Sequence, residues 1–127
     1  MAALTHCDTH TAIWLYAGEI GRFSKKAAEA IDAGTLMISP MVRLEMQFLL
    51  EIGRINEKPE KIVKTLASDF GVRVCDDSLE MVIEAAETVH WTRDPFDRII
   101  VAHAIRTHAP LITKDTLIRK HYKLCIW

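Results

Sequence analysis

Residues 94–115, DPFDRIIVAHAIRTHAPLITKD, decide how this chain folds. Asp94 has the composition of a helix N-cap, Pro95 suits the first helical position, and Asp97 falls in the first turn, where a carboxylate also favours the helix dipole. Phe96, Ile99, Ile100, Val101, Ala102, Ala104 and Ile105 then wrap nearly every side, so this helix is largely buried. The apolar residues 111–113 behind it read as a short strand, with Lys114 and Asp115 at its carboxyl-end exit. A buried helix followed at once by a buried strand belongs to a layered α/β protein.

The same alternation extends outward in both directions. Residues 2–7 run apolar and small up to Cys7 and predict a strand that leaves Asp8 at its end; Ile13 to Tyr16 begin a helix. Ser24 opens KKAAEAIDAG, a short helix closed by Gly34, and a strand follows over 36–38. Ser39 and Pro40 are the favoured cap and first residue of a helix that runs to about Ile52. Residues 59–70 predict a further helix, 72–74 a strand, and 78–89 a helix capped by Asp77 or Ser78. After Asp115 come a short helix to about Arg119 and an edge strand within 122–127. Strands separated by helices predict a three-layer α/β/α architecture with a central, mostly parallel sheet, and 127 residues suit one domain spanning 1–127.

In such sheets ligands bind beyond the carboxyl ends of the strands, where the strand order reverses. Five acids are candidates to meet there: Asp8, Glu45, Asp94, Asp97 and Asp115. Asp8 and Asp115 leave strand ends directly. Glu45 lies in the middle of an apolar face formed by Met41, Leu44, Phe48, Leu49 and Ile52, with Arg43, Gln47, Glu51 and Arg54 opposite. A structural salt bridge is the other explanation for Glu45, and capping alone would account for Asp94 and Asp97. Convergence of acids from separate segments is what a cation would stabilise.

Carboxylates without histidine or cysteine companions favour Mg²⁺ or Mn²⁺ over zinc. His103, on the apolar helix, reads as a core residue. No glycine-rich dinucleotide loop, P-loop or GxSxG elbow is present. Carboxylate-held Mg²⁺ on an α/β sheet suits phosphodiester hydrolysis, with one ion or two.

Composition narrows the setting. No apolar run approaches membrane-spanning length and the first residues lack a signal-peptide pattern, which predicts a cytoplasmic protein with no membrane partner. Cys7, Cys75 and Cys125 form no paired framework and are expected reduced. Residues 92–127 carry 7 Lys/Arg against 3 Asp/Glu, so the last third offers a basic rim for phosphates.

Four segments, CDTHTAIWLYAG, ISPMVRLEMQFLLEIGRI, WTRDPFDRIIVAHA and LITKD, together with the terminal KLCIW, resemble the PIN-domain nucleases and, within them, the VapC-type toxins of bacterial toxin–antitoxin pairs. The resemblance spans nearly the whole chain. It implies a PIN-like fold, a Mg²⁺- or Mn²⁺-dependent endoribonuclease, a metal quartet of Asp8, Glu45, Asp97 and Asp115, and Asp94 as an additional acid. Thr9 and Thr113 stand beside quartet acids, where hydroxyls would position a carboxylate or a water. Arg98 follows Asp97 and would touch a phosphate or pair with an acid. The resemblance also implies an RNA substrate, a cognate antitoxin and a homodimer. Arg43-Leu44 stands where many relatives carry a serine and an aromatic residue, a change expected to alter surface contacts rather than the site.

Two other readings compete. A catalytically silent PIN-like binding module would keep the acids for shape, although the quartet is complete. A phospho-receiver-like Mg²⁺ domain would need paired acids after its first strand, where only Asp8 stands.

Overall fold

The computed structural model describes residues 4–127, and residues 2 and 3 of the predicted first strand lie outside them. Strands β1 (Leu4–Cys7), β2 (Thr35–Ile38), β3 (Arg73–Val74), β4 (Leu111–Ile112) and β5 (Cys125–Ile126) form one sheet in the order β3-β2-β1-β4-β5. Every pairing in it is parallel, so the sheet is more regular than the mostly parallel one expected. Helices α1 (Thr9–Ala17), α2 (Lys25–Ala33), α3 (Pro40–Glu51), α4 (Pro59–Phe70), α5 (Leu79–Ala86), α6 (Pro95–Thr107) and α7 (Thr116–His121) connect and cover the strands, with a single 3₁₀ turn at Ile20–Arg22. The layers are those of a three-layer α/β/α domain.

The chain adds β2 and β3 on one side of β1, then returns to add β4 and β5 on the other. Strand order therefore reverses beside β1. Parallel strands covered on both faces carry continuous apolar runs, and Leu36, Ile38, Leu111 and Ile112 are buried accordingly. Gly34, between α2 and β2, fits a crowded passage: a Cβ there would meet the Thr5 hydroxyl and the Ala30 carbonyl, both at 3.0 Å.

Helix α6 is as buried as its composition demands, with Ile100, Val101, Ala102, His103 and Ala104 inside. His6, in the middle of β1, faces it and is fully buried. Its Nε2 lies 3.3 Å from the Thr107 hydroxyl, while its Nδ1 has no partner among the described residues. Burial, reinforced by neighbouring His103, lowers the His6 pKa to about 4.

Helix α3 corrects the expected apolar face. Val42, Met46 and Leu49 pack inward, whereas Leu44, Phe48 and Ile52 are 56%, 45% and 51% exposed. Two adjacent apolar stripes run along this helix, and periodicity alone cannot say which one meets the sheet. Glu45 is therefore not at the centre of the buried face. It shares a ridge with Val42 and Leu49, three residues before and four after, and lies half-buried at the core's edge. Helix α5 ends at Ala86, short of Val89, and Asp77 does not cap it. Asp77 instead accepts from Arg106 Nε at 3.1 Å, which ties the loop before α5 to α6.

Truncation of the two stripes should separate them. Met46→Ala, at a fully buried site, is expected to cost about 2–5 kcal/mol in urea unfolding. Ile52→Ala, on the exposed stripe, is expected to cost less than about 1 kcal/mol.

Candidate functional site

The reversal of strand order beside β1 places two carboxyl ends, those of β1 and β4, next to each other. Cys7 pairs with Ile112, and the Asp8 N–H continues the ladder to the Ile112 carbonyl at 3.2 Å. Asp8 is only 9% exposed. Its Oδ1 accepts from the Thr11 N–H at 2.9 Å, which makes it the N-cap of α1, and its Oδ2 accepts from the Thr113 hydroxyl. Thr113 Oγ1 in turn accepts from the Asp115 N–H at 3.0 Å, so one threonine fixes the spacing of two acids.

Asp115 caps α7 through Oδ1, 2.9 Å from the Ile118 N–H. Asp94 caps α6, its Oδ1 accepting from the Phe96 and Asp97 N–H groups at 2.8 and 3.3 Å. Capping and site geometry are therefore compatible. Each cap uses Oδ1 of its aspartate and leaves Oδ2 for other partners. Glu45 comes from the second turn of α3, where its Oε1 accepts from the Thr9 hydroxyl. The structure gives it this hydrogen bond, and no salt bridge to Glu45 occurs among the described residues.

All five acids line one cavity of about 540 Å³, which Thr9, His10, Trp14, Ile100, Lys114 and Thr116 complete. The crowding is visible in the electrostatics. Burial, then the charges of Asp94, Asp115, Glu45 and Asp8, pushes the Asp97 carboxyl up to about 7. Burial also raises Asp8, opposed by its bonds from Thr113 and Thr11 and by the charge of His10. Glu45 is raised by burial and, less strongly, by Asp94 and Asp8, while the Thr9 bond and His10 oppose the shift.

A hard divalent cation suits this donor set, which is all oxygen and short of positive charge. Among the described residues no three His, Cys, Asp or Glu side chains form a ready-made metal shell. An ion such as Mg²⁺ keeps several waters and binds through one or two direct carboxylates, so it does not need such a shell.

Thr9 and Thr113 are placed as expected, each donating to a cavity acid. Arg98 is not: its guanidinium donates to the Ala86 carbonyl at 3.2 Å, closing the end of α5, and it does not line the acid cavity. Its position one turn into α6 turns it toward the neighbouring helix, which adjacency to Asp97 in sequence could not reveal. Sequence reasoning missed His10 and Trp14 as cavity residues, and included Lys114 only as part of the basic last third. His10 and Lys114 are each adjacent to a residue already singled out, Thr9 or Asp115, and that adjacency was the available signal.

The sequence model of the PIN domain matches residues 6–124. Among solved structures, the chain is similar to a toxin–antitoxin complex from Klebsiella pneumoniae, at 19% identity over 99% of this chain and 97% of that one, with a TM-score of 0.65. It is similar to VapBC2 from Rickettsia felis, solved bound to a DNA fragment from its promoter, at 17% identity over 96% of each chain, TM-score 0.63. VapBC-1 from nontypeable Haemophilus influenzae follows at 16% identity over 96% and 95%, TM-score 0.59. At these identities the likeness is one of fold. No curated protein sequence matches this chain.

In the metal-free protein Asp97 holds its proton to about pH 7, against an ordinary value of 3.8. The contribution of this group to stability is thus full below about pH 4 and is lost as pH rises through about 7. Asp97→Asn is expected to raise the metal-free thermal midpoint, by a margin that grows from pH 4 to pH 7 and then levels off. A midpoint difference independent of pH in thermal melts would show that Asp97 is not under this strain.

Proposed function

The chain belongs to the PIN domain family, and from that premise we propose that it is a Mg²⁺- or Mn²⁺-dependent endoribonuclease, the toxin of a VapC-type toxin–antitoxin pair. The observation that carries the reading is the convergence of Asp8, Glu45, Asp94, Asp97 and Asp115 on one cavity from four separate places in the chain. An acid cluster with raised pKa values in a cleft is a functional-site candidate, because burial and like charges shift carboxylates where a cation or a proton transfer uses them. Nuclease chemistry fits the family; the toxin role is supported by structural neighbours described as toxin–antitoxin complexes.

Asp8, Glu45, Asp97 and Asp115 would hold the cation, which when bound supplies Lewis acidity and neutralises charge on the phosphate. The chain's own residues set the geometry. Thr113 orients Asp8 and spaces it from Asp115, Thr9 orients Glu45, and the Asp94 cap holds the start of α6 in place. Lys114 and His10 border the cavity, where a cation beside the acids would attract a phosphate. A cognate antitoxin and an RNA substrate belong to the same proposal, as does cytoplasmic action; no described helix is long and apolar enough to cross a membrane.

Purified protein should cut single-stranded or loop-containing RNA with Mg²⁺ or Mn²⁺ and stop in EDTA. Asp8→Asn and Asp97→Asn should each lower the rate by about 100-fold or more. Cleavage that survives EDTA and both substitutions would sink the reading.

A homodimer is part of the proposal too. Leu44 of α3 and Leu79 of α5, 56% and 69% exposed, line a shared apolar groove with Met41, Val82 and Ile99. Exposed apolar surface of this kind is what a second copy would cover. Sedimentation should show a dimer that Leu44→Asp or Leu79→Asp converts to monomer, whereas a wild-type monomer at every concentration would refute it.

A further inference from the structure

Beside the acid cavity lies a second cavity of about 640 Å³ with the opposite charge, lined by Lys26, Arg119, Lys120 and Lys123 together with Tyr122 and Trp127. No acid lines it. The ion pairs among the described residues are Arg22–Glu19, Lys61–Glu57 and Arg106–Asp77, so all four of these cations are free of acidic partners. Cations gathered from α2, from α7 and from the turn before β5, with no Asp or Glu among the residues lining the same groove, raise the local potential and attract an anion.

The two cavities adjoin. Thr116 lines both. Trp14 of the acid cavity packs against Trp127 of the basic one, with ring centroids 6.1 Å apart. Helix α7, which starts at the acid Asp115, carries Arg119 and Lys120 in its last turn and so runs from one site to the other.

A polyanionic substrate faces a difficulty at the acid cavity, because five carboxylates repel it. Attraction must come from nearby positive charge, and this groove is the adjoining source. Tyr122 and Trp127 are half-buried against the core, and the ring surface they leave in the groove adds what a purely ionic patch lacks, since bases of a single strand stack on such rings while the backbone follows the cations. An acidic polypeptide would use the charges and leave the aromatic surface unfilled.

We propose that the groove of Lys26, Arg119, Lys120 and Lys123 binds the sugar-phosphate backbone of single-stranded RNA on one side of the phosphodiester held at the acid cavity. The proposal rests on the nuclease reading for its placement of the scissile bond, but binding itself is tested apart from cleavage.

The experiment measures fluorescence anisotropy of a short mixed-sequence single-stranded RNA in EDTA across a salt series. Wild type is compared with the exposed-site triple variant Arg119→Gln/Lys120→Gln/Lys123→Gln and with a control, Lys61→Gln/Lys64→Gln on α4. Thermal melts check that each is folded. The triple variant should bind at least ~10-fold more weakly at low salt, and its slope of log K against log salt should fall by about 2, from roughly 0.7 per lost phosphate contact. The control should match wild type. Equal affinity and slope for wild type and triple variant would overturn the proposal, as would absence of wild-type binding at low salt. Tighter binding of poly-glutamate than of RNA of matched charge would assign the groove to an acidic protein and overturn it as well. If RNA is bound through the groove but never cut with Mg²⁺ or Mn²⁺, the nuclease reading fails and the groove stands. If the triple variant cuts RNA as fast as wild type, the groove fails and the nuclease reading stands.

Discussion

The buried carboxylate of Asp8 is the constraint on which the rest of the structure depends. Removing such a group from water costs several kcal/mol unless hydrogen bonds or a cation compensate. Here the compensation comes from two directions, the Thr11 N–H at the start of α1 and the Thr113 hydroxyl at the end of β4. The first is local to α1, but the second requires β4 to lie beside β1 in parallel, with Cys7 opposite Ile112. A slip of register by one residue would carry Thr113 away and leave Oδ2 of Asp8 without its partner. The sheet's reversal of order is therefore coupled to the chemistry of one side chain, and the remaining acids enter around it.

Helix beginnings supply those acids. α1, α6 and α7 each start with an aspartate whose Oδ1 closes the helix, so the local rule that fixes where a helix begins also fixes where a carboxylate stands. Positive helix ends beside a group of negative charges offset part of their repulsion. The offset is incomplete, as the raised Asp97 shows. Buried His6 works in the opposite sense: held neutral, it withholds stability as the solution is acidified below its ordinary value of 6.5. The fold thus carries one titration that weakens it toward neutrality and another that weakens it in acid.

Much of this was legible in the chain, because caps, prolines and apolar runs act locally. Ser39-Pro40 and Asp94-Pro95 mark the starts of α3 and α6, and the alternation of strand and helix implies the parallel sheet. What escaped depends on contacts across the fold. On α3, Leu44, Phe48 and Ile52 make as good a stripe as Val42, Met46 and Leu49, and only the sheet chooses between them. Arg98 was assigned to the site by its neighbour Asp97, yet it closes the end of α5. The dual use of Asp8 and Asp115 as caps was also hidden, since neither precedes a proline and each reads first as a strand end.

The capping bonds change what sequence drift can tell. Asp8, Asp94 and Asp115 hold helices in place, so descendants that had lost activity would still be selected to keep them for folding alone. Glu45 and Asp97 cap nothing, and Asp97 is a burden on the metal-free fold. In such a lineage these two positions would be the first to wander.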